Sequence, residues 1–376
     1  MDEEKSQLSA IPESVRLALI QQDFQHLLEG EAHHAILIAG PAGSGQTELA
    51  LELVKAWLCE QPTGSSGDPF PLDARLTDQA QEKSQRRAIA CGHCESCRWI
   101  GTPDPREGRY GPQHPDLLWL RPEADDPYWE PAPGQSKTVK PSKEIKIKQV
   151  RDIASFVTLS AQRGRAKVVL LSPAEALNTE SANSLLKMLE EPAGQCRFVL
   201  LTEHLDWLLP TIRSRCRMFA MRRPEATATA QWLSHYGVVQ EVAQELLPLS
   251  GGAAYGVLEL VRRGQSTAHR VFIESAASMP EASLSQVAAQ LAGVEAMMLS
   301  RLFQAWVSDL IRVKVGQPVR FFPGHLGVAK QRAQQTSLQA LHRLELDWRS
   351  LPRLAEHPLN PRLYVEGLLL RYCEIF

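Results

Sequence analysis

Residues 35–47 set the architecture of this chain, and they read Ala35-Ile36-Leu37-Ile38-Ala39-Gly40-Pro41-Ala42-Gly43-Ser44-Gly45-Gln46-Thr47. The first five residues are apolar and predict a short buried strand that stops at Gly40. From Glu48 to Leu58 apolar residues recur with helical spacing, which predicts an amphipathic helix. A strand, a glycine-rich loop and a helix in this order are the beginning of a βα unit.

The loop between this strand and this helix matches the phosphate-binding pattern G-x-x-x-x-G-K-[ST] at every fixed position except one. Gly40, Gly45 and Thr47 are present, but Gln46 stands where the pattern has lysine. In that pattern backbone N–H groups surround the phosphates, the threonine holds Mg²⁺, and the lysine places positive charge against the β- and γ-phosphates. We therefore expect a degenerate P-loop, with an ordinary glycine-rich turn as the alternative.

Hydrolysis of ATP also requires an acidic residue after a second strand, to bind the metal and activate water. The candidate strand is 168–171, and Ser172 and Pro173 follow it directly. Glu175 comes later and is better explained as a charge at a helix N-terminus. We expect no ATPase activity of the chain's own, with ATP and Mg²⁺ either not bound or not hydrolysed.

The rest of the first 222 residues alternates short apolar strands with amphipathic helices. This alternation predicts a parallel sheet covered on both faces. Two polar stretches, 61–87 and 121–143, are predicted to be loop insertions. After Pro224 the strand signals fade, and helical spacing continues to the end with proline breaks. The fold class is therefore α/β followed by all-α.

Composition narrows the function classes. The chain has 376 residues, enough for two or three domains. Its 41 Lys and Arg against 43 Asp and Glu leave a net charge of −2, which excludes a basic surface over the whole molecule. No apolar run approaches the about 18 residues of a membrane helix, and the acidic beginning lacks a signal-peptide pattern. We expect a cytoplasmic protein without membrane contact.

The cysteines indicate a metal site. Cys91, Cys94 and Cys97 follow one another at three-residue spacing, and Cys59 comes directly after the predicted P-loop helix. Four thiolates suit a structural Zn²⁺, since a closed shell of this kind leaves no position for water. Because a long insertion separates Cys59 from the other three, His93 is an alternative fourth ligand. Unmetallated thiols are the remaining alternative.

Three later segments resemble the AAA+ subunits of bacterial sliding-clamp loaders. They are Ser181-Ala182-Asn183-Ser184-Leu185-Leu186-Lys187-Met188-Leu189-Glu190-Glu191-Pro192, Phe198-Val199-Leu200-Leu201-Thr202 and Thr211-Ile212-Arg213-Ser214-Arg215-Cys216. Two further segments, His114-Pro115-Asp116-Leu117 and 360–370, resemble the delta prime class of DNA polymerase III subunits. The resemblance spans the chain from about Ile36 to Leu370.

The resemblance implies three domains. These are an AAA+ P-loop core over residues 1–222, with a zinc module inserted at about 59–97, a helical lid over 223–267, and a C-terminal collar over 268–376. It implies a non-motor subunit of a loader that is part of a DNA polymerase holoenzyme. The implied partners are motor subunits and a clamp-opening subunit, contacted through the collar, with the sliding clamp and primed DNA contacted indirectly.

The resemblance also implies a role for Arg215, between Ser214 and Cys216. In this family the arginine is a finger that reaches the γ-phosphate of ATP bound by the adjacent motor subunit. A surface arginine that makes salt bridges is the alternative. Motor subunits keep the loop lysine, an Asp-Glu pair after the second strand and an arginine in the lid, whereas this chain has Gln46, Ser172-Pro173 and Tyr255. Thr202 is expected to serve local hydrogen bonding or helix capping.

Two rival functions belong to other classes. The first is an active clamp-loader ATPase that has replaced its lysine, and the losses at Gln46, Ser172 and Tyr255 oppose it. The second is a zinc-ribbon protein that binds nucleic acid. The near-neutral charge opposes this second function, and the three arginines near the cysteines, Arg86, Arg87 and Arg98, are too few for tight phosphate binding.

Overall fold

The computed structural model describes residues 15, 17–29, 33–63, 89–101, 114–126, 140–163, 166–192, 194–279, 283–348 and 360–376. The chain divides into two compact units, residues 1–228 and 229–376. The predicted boundary between lid and collar, at 267/268, lies within the second unit, and the three-domain division stays a prediction. The predicted insertions fall mostly outside the described residues.

The first unit is built around a five-stranded sheet in which every pairing is parallel. The strands are β1 (Ala35–Ala39), β2 (Leu117–Leu120), β3 (Lys167–Leu171), β4 (Cys196–Thr202) and β5 (Arg217–Ala220), and their spatial order is β2-β3-β4-β1-β5. The helices of this unit are α1 (Gln21–Glu29), α2 (Gln46–Leu58), α3 (Glu95–Ile100), α4 (Ile147–Thr158), α5 (Thr179–Glu190) and α6 (Pro210–Arg213), with α7 (Ala226–Ser234) crossing into the second unit. The predicted α/β class is confirmed.

Burial explains why the sequence pattern predicts the central strands. Every residue of β3 and β4 is buried, as expected for parallel strands covered on both faces. On one face the sheet packs against α4 and α5, whose apolar residues Ile153, Leu185 and Leu189 are buried in the same cluster. The carboxyl ends of β1 and β4 lie side by side, with Ala39 paired to Thr202. This places the loop after β1 beside the end of β4.

The second unit is helical. Its helices after α7 are α8 (Gln240–Leu249), α9 (Ala254–Arg262), α10 (Ala268–Ser278), α11 (Leu284–Leu291), α12 (Ala296–Lys314), α13 (Leu326–Gln335), α14 (Leu338–Trp348) and α15 (Pro361–Cys373). Large aromatic side chains fill its core, with Phe303 of α12 in edge contact with Phe272 and Trp348. No helix in the described ranges combines the length and apolar character needed to span a bilayer.

A buried carboxylate fixes the turn after α12. The side chain of Asp309 is fully buried and accepts hydrogen bonds from the backbone N–H groups of Arg320, Phe321 and Phe322, at 2.7, 2.9 and 2.8 Å. Each N–H satisfies part of the charge, which makes burial of this carboxylate tolerable. This turn also places Phe322 in the aromatic core.

Candidate functional site

The loop after β1 depends on its glycines for its conformation. Gly43 and Gly45 both adopt positive φ angles, 74° and 94°, and Gly45 forms the N-cap of α2. At Gly40 a Cβ would lie 2.7 Å from the Ser44 hydroxyl and 2.9 Å from Met221, so a side chain does not fit there. The glycines predicted to shape the loop therefore do so for steric reasons.

Gln46 occupies the loop with its own side chain. Its Nε2 amide donates one hydrogen bond to the carbonyl of Gly40 at 2.8 Å and one to the carbonyl of Thr202 at 2.7 Å. A carboxamide nitrogen has two N–H donors, so neither is left for a phosphate oxygen. The side chain is 7% exposed and ties the loop to the end of β4. A lysine at this position would bring a positive charge. Gln46 instead joins the carbonyls of Gly40 and Thr202, and we call these two hydrogen bonds the Gln46 clasp.

The strand that would carry the acidic residue of an ATPase is β3. It ends at Leu171, and the next residues are Ser172 and Pro173. Glu175 lies in the 3₁₀ turn that follows, where its Oε1 accepts hydrogen bonds from the backbone N–H groups of Glu203 and His204, at 2.9 and 3.1 Å. This carboxylate therefore holds the segment after β4, a role that its position near a helix N-terminus did not reveal.

Thr202 and Tyr255 are the two remaining positions that the sequence singled out in addition to the phosphate loop. The Thr202 hydroxyl is buried and has no hydrogen-bond partner within the described ranges. Its carbonyl, however, accepts from the Gly40 N–H at 3.1 Å as well as from Gln46. In the second unit Tyr255 is buried, with its ring 4.8 Å from that of Trp232. Tyr255 is therefore a packing residue of the second unit.

Arg215 lies in the short step between α6 and β5. Pro210 is the first residue of α6, Ile212 is buried in the core of the sheet, and Arg217 begins β5 in register with Ile36. Both ends of the step are therefore fixed by packing or by the sheet. Burial raises the pKa of the neighbouring Cys216 thiol to about 12, so Cys216 is a neutral packing residue.

The Arg215 side chain has three partners. Its Nη1 donates to the carbonyl of Thr211 at 3.1 Å and to the hydroxyl of Ser214 at 3.3 Å. Its Nη2 forms an ion pair with Glu190, the last residue of α5. The Ser214 hydroxyl itself donates to Thr211, so it orients the same group. Arg215 is 34% exposed, and its guanidinium is held on one side by its own chain.

The four predicted metal ligands come together. The sulfur atoms of Cys59, Cys91, Cys94 and Cys97 all lie within 4.8 Å of one another. The Sγ atoms of Cys59 and Cys94 are 3.9 Å apart, which matches the sulfur separation of about 3.8 Å in a tetrahedron with 2.3 Å Zn–S bonds. All four are free thiols rather than disulfides. His93 is exposed and hydrogen-bonds the carbonyl of Cys91, so Cys59 is the fourth member of this cluster.

Electrostatics also favour a cation in this cluster. Burial raises the pKa of the Cys59 and Cys97 thiols, which makes their thiolates costly unless a positive charge compensates. At Cys91 burial acts in the same direction, but hydrogen bonds from the backbone amides of His93 and Cys94 outweigh it and bring the pKa to about 7. Soft sulfur donors in a closed shell are the chemistry that Zn²⁺ accepts.

A chain of hydrogen bonds joins the cysteine cluster to β2. Glu60, next to Cys59, accepts from the hydroxyl of Ser96 at 2.7 Å, and that hydroxyl lies 3.0 Å from Nε2 of His114. Nδ1 of His114 accepts from the backbone N–H of Asp116 at 3.0 Å. Since Nδ1 is an acceptor here, Nε2 carries the proton and donates to Ser96. The His114-Pro115-Asp116 segment thus anchors the cysteine module to the edge of the sheet.

Two carboxylates in these sites, Glu190 and Glu60, belong to no sequence motif that would have identified them. Glu190 and Glu60 each form a contact across the fold, to Arg215 and to Ser96. Glu190 lies in a segment that carried the family resemblance, but nothing in its spacing pointed to Arg215. The only sequence signal for Glu190 is an acidic residue at a helix C-terminus, where the macrodipole disfavours negative charge.

Comparison with known families places these features in context. The sequence profile described as "DNA polymerase III, delta subunit" matches residues 18–225, more than half of the chain. DNA polymerase III subunit delta' of Pseudomonas aeruginosa is 29% identical over 372 residues, which cover 94% of this chain and 97% of that protein. DNA polymerase III subunit delta' of Escherichia coli K12 is 29% identical over 64% of this chain and 59% of that protein.

The matches extend to other subunit classes and to solved structures. DNA polymerase III subunit tau of Salmonella typhimurium is 29% identical over 61% of this chain and 28% of that protein. The crystal structure of a DNA polymerase III gamma subunit-related protein from Thermotoga maritima aligns over 94% of this chain and 98% of that chain, with 17% identity and a TM-score of 0.43.

Proposed function

Because the chain belongs to the delta prime family of DNA polymerase III clamp-loader subunits, we propose that it is the non-motor subunit of its loader and supplies Arg215 to ATP bound by a neighbouring motor subunit. The neighbour would use that ATP to load the sliding clamp in DNA replication. The chain itself would not hydrolyse ATP. The observation that carries this proposal is the Gln46 clasp, in which both N–H donors of the side-chain amide are bonded to backbone carbonyls, those of Gly40 and Thr202.

The missing catalytic groups support a non-motor role. Transfer of the γ-phosphoryl group needs positive charge on the phosphates and a metal held beside them. Gln46 provides no charge, β3 is followed by Ser172 and Pro173, and Glu175 is engaged with two backbone N–H groups. A loop with this set of residues keeps the shape of a nucleotide site without the groups that break the phosphoanhydride bond.

The surroundings of Arg215 support a role in trans. The residue is at the surface, partly exposed, and rooted in a step whose two ends are fixed. An arginine finger supplied by a neighbour increases the rate of phosphoryl transfer by about 10³- to 10⁵-fold, because the guanidinium compensates the charge that develops in the transition state. Ser214 would orient the finger, and Cys216 would anchor the segment in the core.

The cysteine cluster supports a structural Zn²⁺ held by Cys59, Cys91, Cys94 and Cys97. Its four sulfurs leave no ligand position open, so the ion would fix α3 and the segment after α2 rather than take part in chemistry. The hydrogen bonds from Glu60 through Ser96 to His114 would hold this module on the sheet.

The implied partners follow from membership of a ring. Motor subunits and a clamp-opening subunit would contact the collar, which we propose spans 268–376 within the helical second unit. The proposed lid, 223–267, begins a few residues before that unit. The sliding clamp and primed DNA would be contacted indirectly, and the site of action would be the cytoplasm.

The test is reconstitution of the loader with wild-type, Arg215→Ala or Arg215→Lys chains, followed by measurement of DNA-stimulated ATP hydrolysis and of assembly. We expect both variants to assemble and the Ala variant to lower the hydrolysis rate at the adjacent motor site by at least about 10³-fold. Wild-type hydrolysis and clamp loading by an assembled Ala variant would refute the finger. ATP turnover by the isolated chain would instead favour the rival, an active ATPase.

A further inference from the structure

The ion pair between Glu190 and Arg215 is not explained by a contribution to the stability of the fold. Glu190 is the last residue of α5, where a negative charge faces the negative end of the helix macrodipole. The Glu190 side chain is 47% exposed and that of Arg215 is 34% exposed, and ion pairs with this much solvent contact contribute little to folding. The carboxylate therefore stands at an unfavourable position for the helix without a gain in stability that would account for it.

The contact does determine where the guanidinium lies. Nη1 is held by the Thr211 carbonyl and the Ser214 hydroxyl, both on the same short segment as Arg215. Glu190 holds Nη2 from a different element, α5, which packs in the core through Leu185 and Leu189. An arginine side chain loses considerable rotamer freedom when it is fixed, so a group that fixes it before the partner arrives lowers the cost of its later use.

We propose that Glu190 is a positioning residue: it presets the direction in which Arg215 is presented to the neighbouring subunit's ATP. This inference rests on the proposed role of Arg215 as a finger. Three of the five guanidinium N–H groups are used by Thr211, Ser214 and Glu190, and the Nε–H is buried without a partner in the described part of the chain. Both terminal nitrogens are thus held by protein groups, and the second N–H of Nη2 is the donor left for a phosphate oxygen.

The experiment uses the reconstituted loader and four chains: Glu190→Gln, Glu190→Asp, Arg215→Ala and the double variant Glu190→Gln/Arg215→Ala. Glu191→Gln is the matched control, because it removes the same charge from the neighbouring exposed position at the end of the same helix. The readouts are kcat and KM for ATP in DNA-stimulated hydrolysis, the mass of the assembly, and the melting temperature of each chain.

We expect Glu190→Gln to lower kcat about tenfold, equivalent to about 1.4 kcal/mol in the barrier, with unchanged KM, assembly and melting temperature. Glu190→Asp should recover part of the loss, and Glu191→Gln should behave as wild type. In the Arg215→Ala background, Glu190→Gln should have no further effect, since its role is exerted through Arg215.

The other outcomes separate the two proposals. If Arg215→Ala lowers kcat but Glu190→Gln matches Glu191→Gln, the positioning role is wrong and the finger stands. If Glu190→Gln raises kcat, Glu190 competes with the phosphate, which also overturns positioning. An effect of Glu190→Gln that persists in the Arg215→Ala background would show that it acts elsewhere. If Arg215→Ala has no effect, the proposed function fails, and the positioning role fails with it.

Discussion

Replacement of Gln46 by leucine tests whether the loop is clasped as the hydrogen bonds indicate. Leucine has a similar size but no donor, so the carbonyl of Gly40 loses its 2.8 Å bond and the carbonyl of Thr202 loses one of its two. A buried hydrogen bond contributes about 1 kcal/mol, and a buried acceptor left without a partner costs somewhat more, so we expect a loss of about 2 kcal/mol. For a unit of this size that lowers the melting temperature by about 4–8 °C.

The assay is calorimetric or circular-dichroism melting of the isolated chain. The matched control is Gln22→Leu, the same substitution at an exposed position of α1, which should change the free energy of unfolding by less than about 0.5 kcal/mol. A Gln46→Leu chain that melts within about 1 °C of both wild type and the control would show that the clasp is not formed in solution.

Three further predictions concern the zinc cluster, a buried carboxylate and a buried histidine. Purified chain should carry about one zinc ion, and Cys97→Ser should lower both zinc content and melting temperature, while Cys373→Ser should leave the zinc content unchanged. Asp309→Ala leaves three backbone N–H groups without their acceptor, so we expect a loss of about 3 kcal/mol and a lower melting temperature in calorimetry. Burial lowers the pKa of His269, so below about pH 6.5 the unfolded chain takes up the proton first and stability falls. His269→Gln should therefore melt with a smaller loss than wild type between pH 7.5 and pH 5.5, and equal losses would contradict this.

The sequence was sufficient for the central strands because they are buried on both faces. β1, β3 and β4 contain continuous apolar runs, at 35–39, 168–171 and 198–201, and the helices that follow β1 and β3 have a clear apolar face. The two edge strands differ in this respect. β2 is an apolar run of four residues, as continuous as the run in β3, and the same criterion could have found it, whereas in β5 only Phe219 is buried and no distinctive pattern results. Their place is set by pairing with strands distant in the chain.

The residues of the candidate sites also differ in whether the sequence could predict them. The loop glycines and the Cys91, Cys94 and Cys97 spacing are local patterns, and the structure brings these residues together as expected. The participation of Cys59 depends on how the chain returns after an insertion, which spacing does not determine. The two bonds of Gln46 and the pairing of Arg215 with Glu190 are contacts between distant segments, and they depend on the register of the sheet and the position of α5.

Titration of the isolated chain with Mg²⁺ and ATP by isothermal calorimetry tests most directly whether this subunit has given up nucleotide chemistry. We predict no saturable binding up to about 1 mM ATP, because both N–H donors of the Gln46 amide are used by the backbone and because glutamine stands where the phosphate-binding pattern has lysine. Saturable binding that Thr47→Ala weakens would contradict it, because it would show that the phosphate loop still accepts a nucleotide.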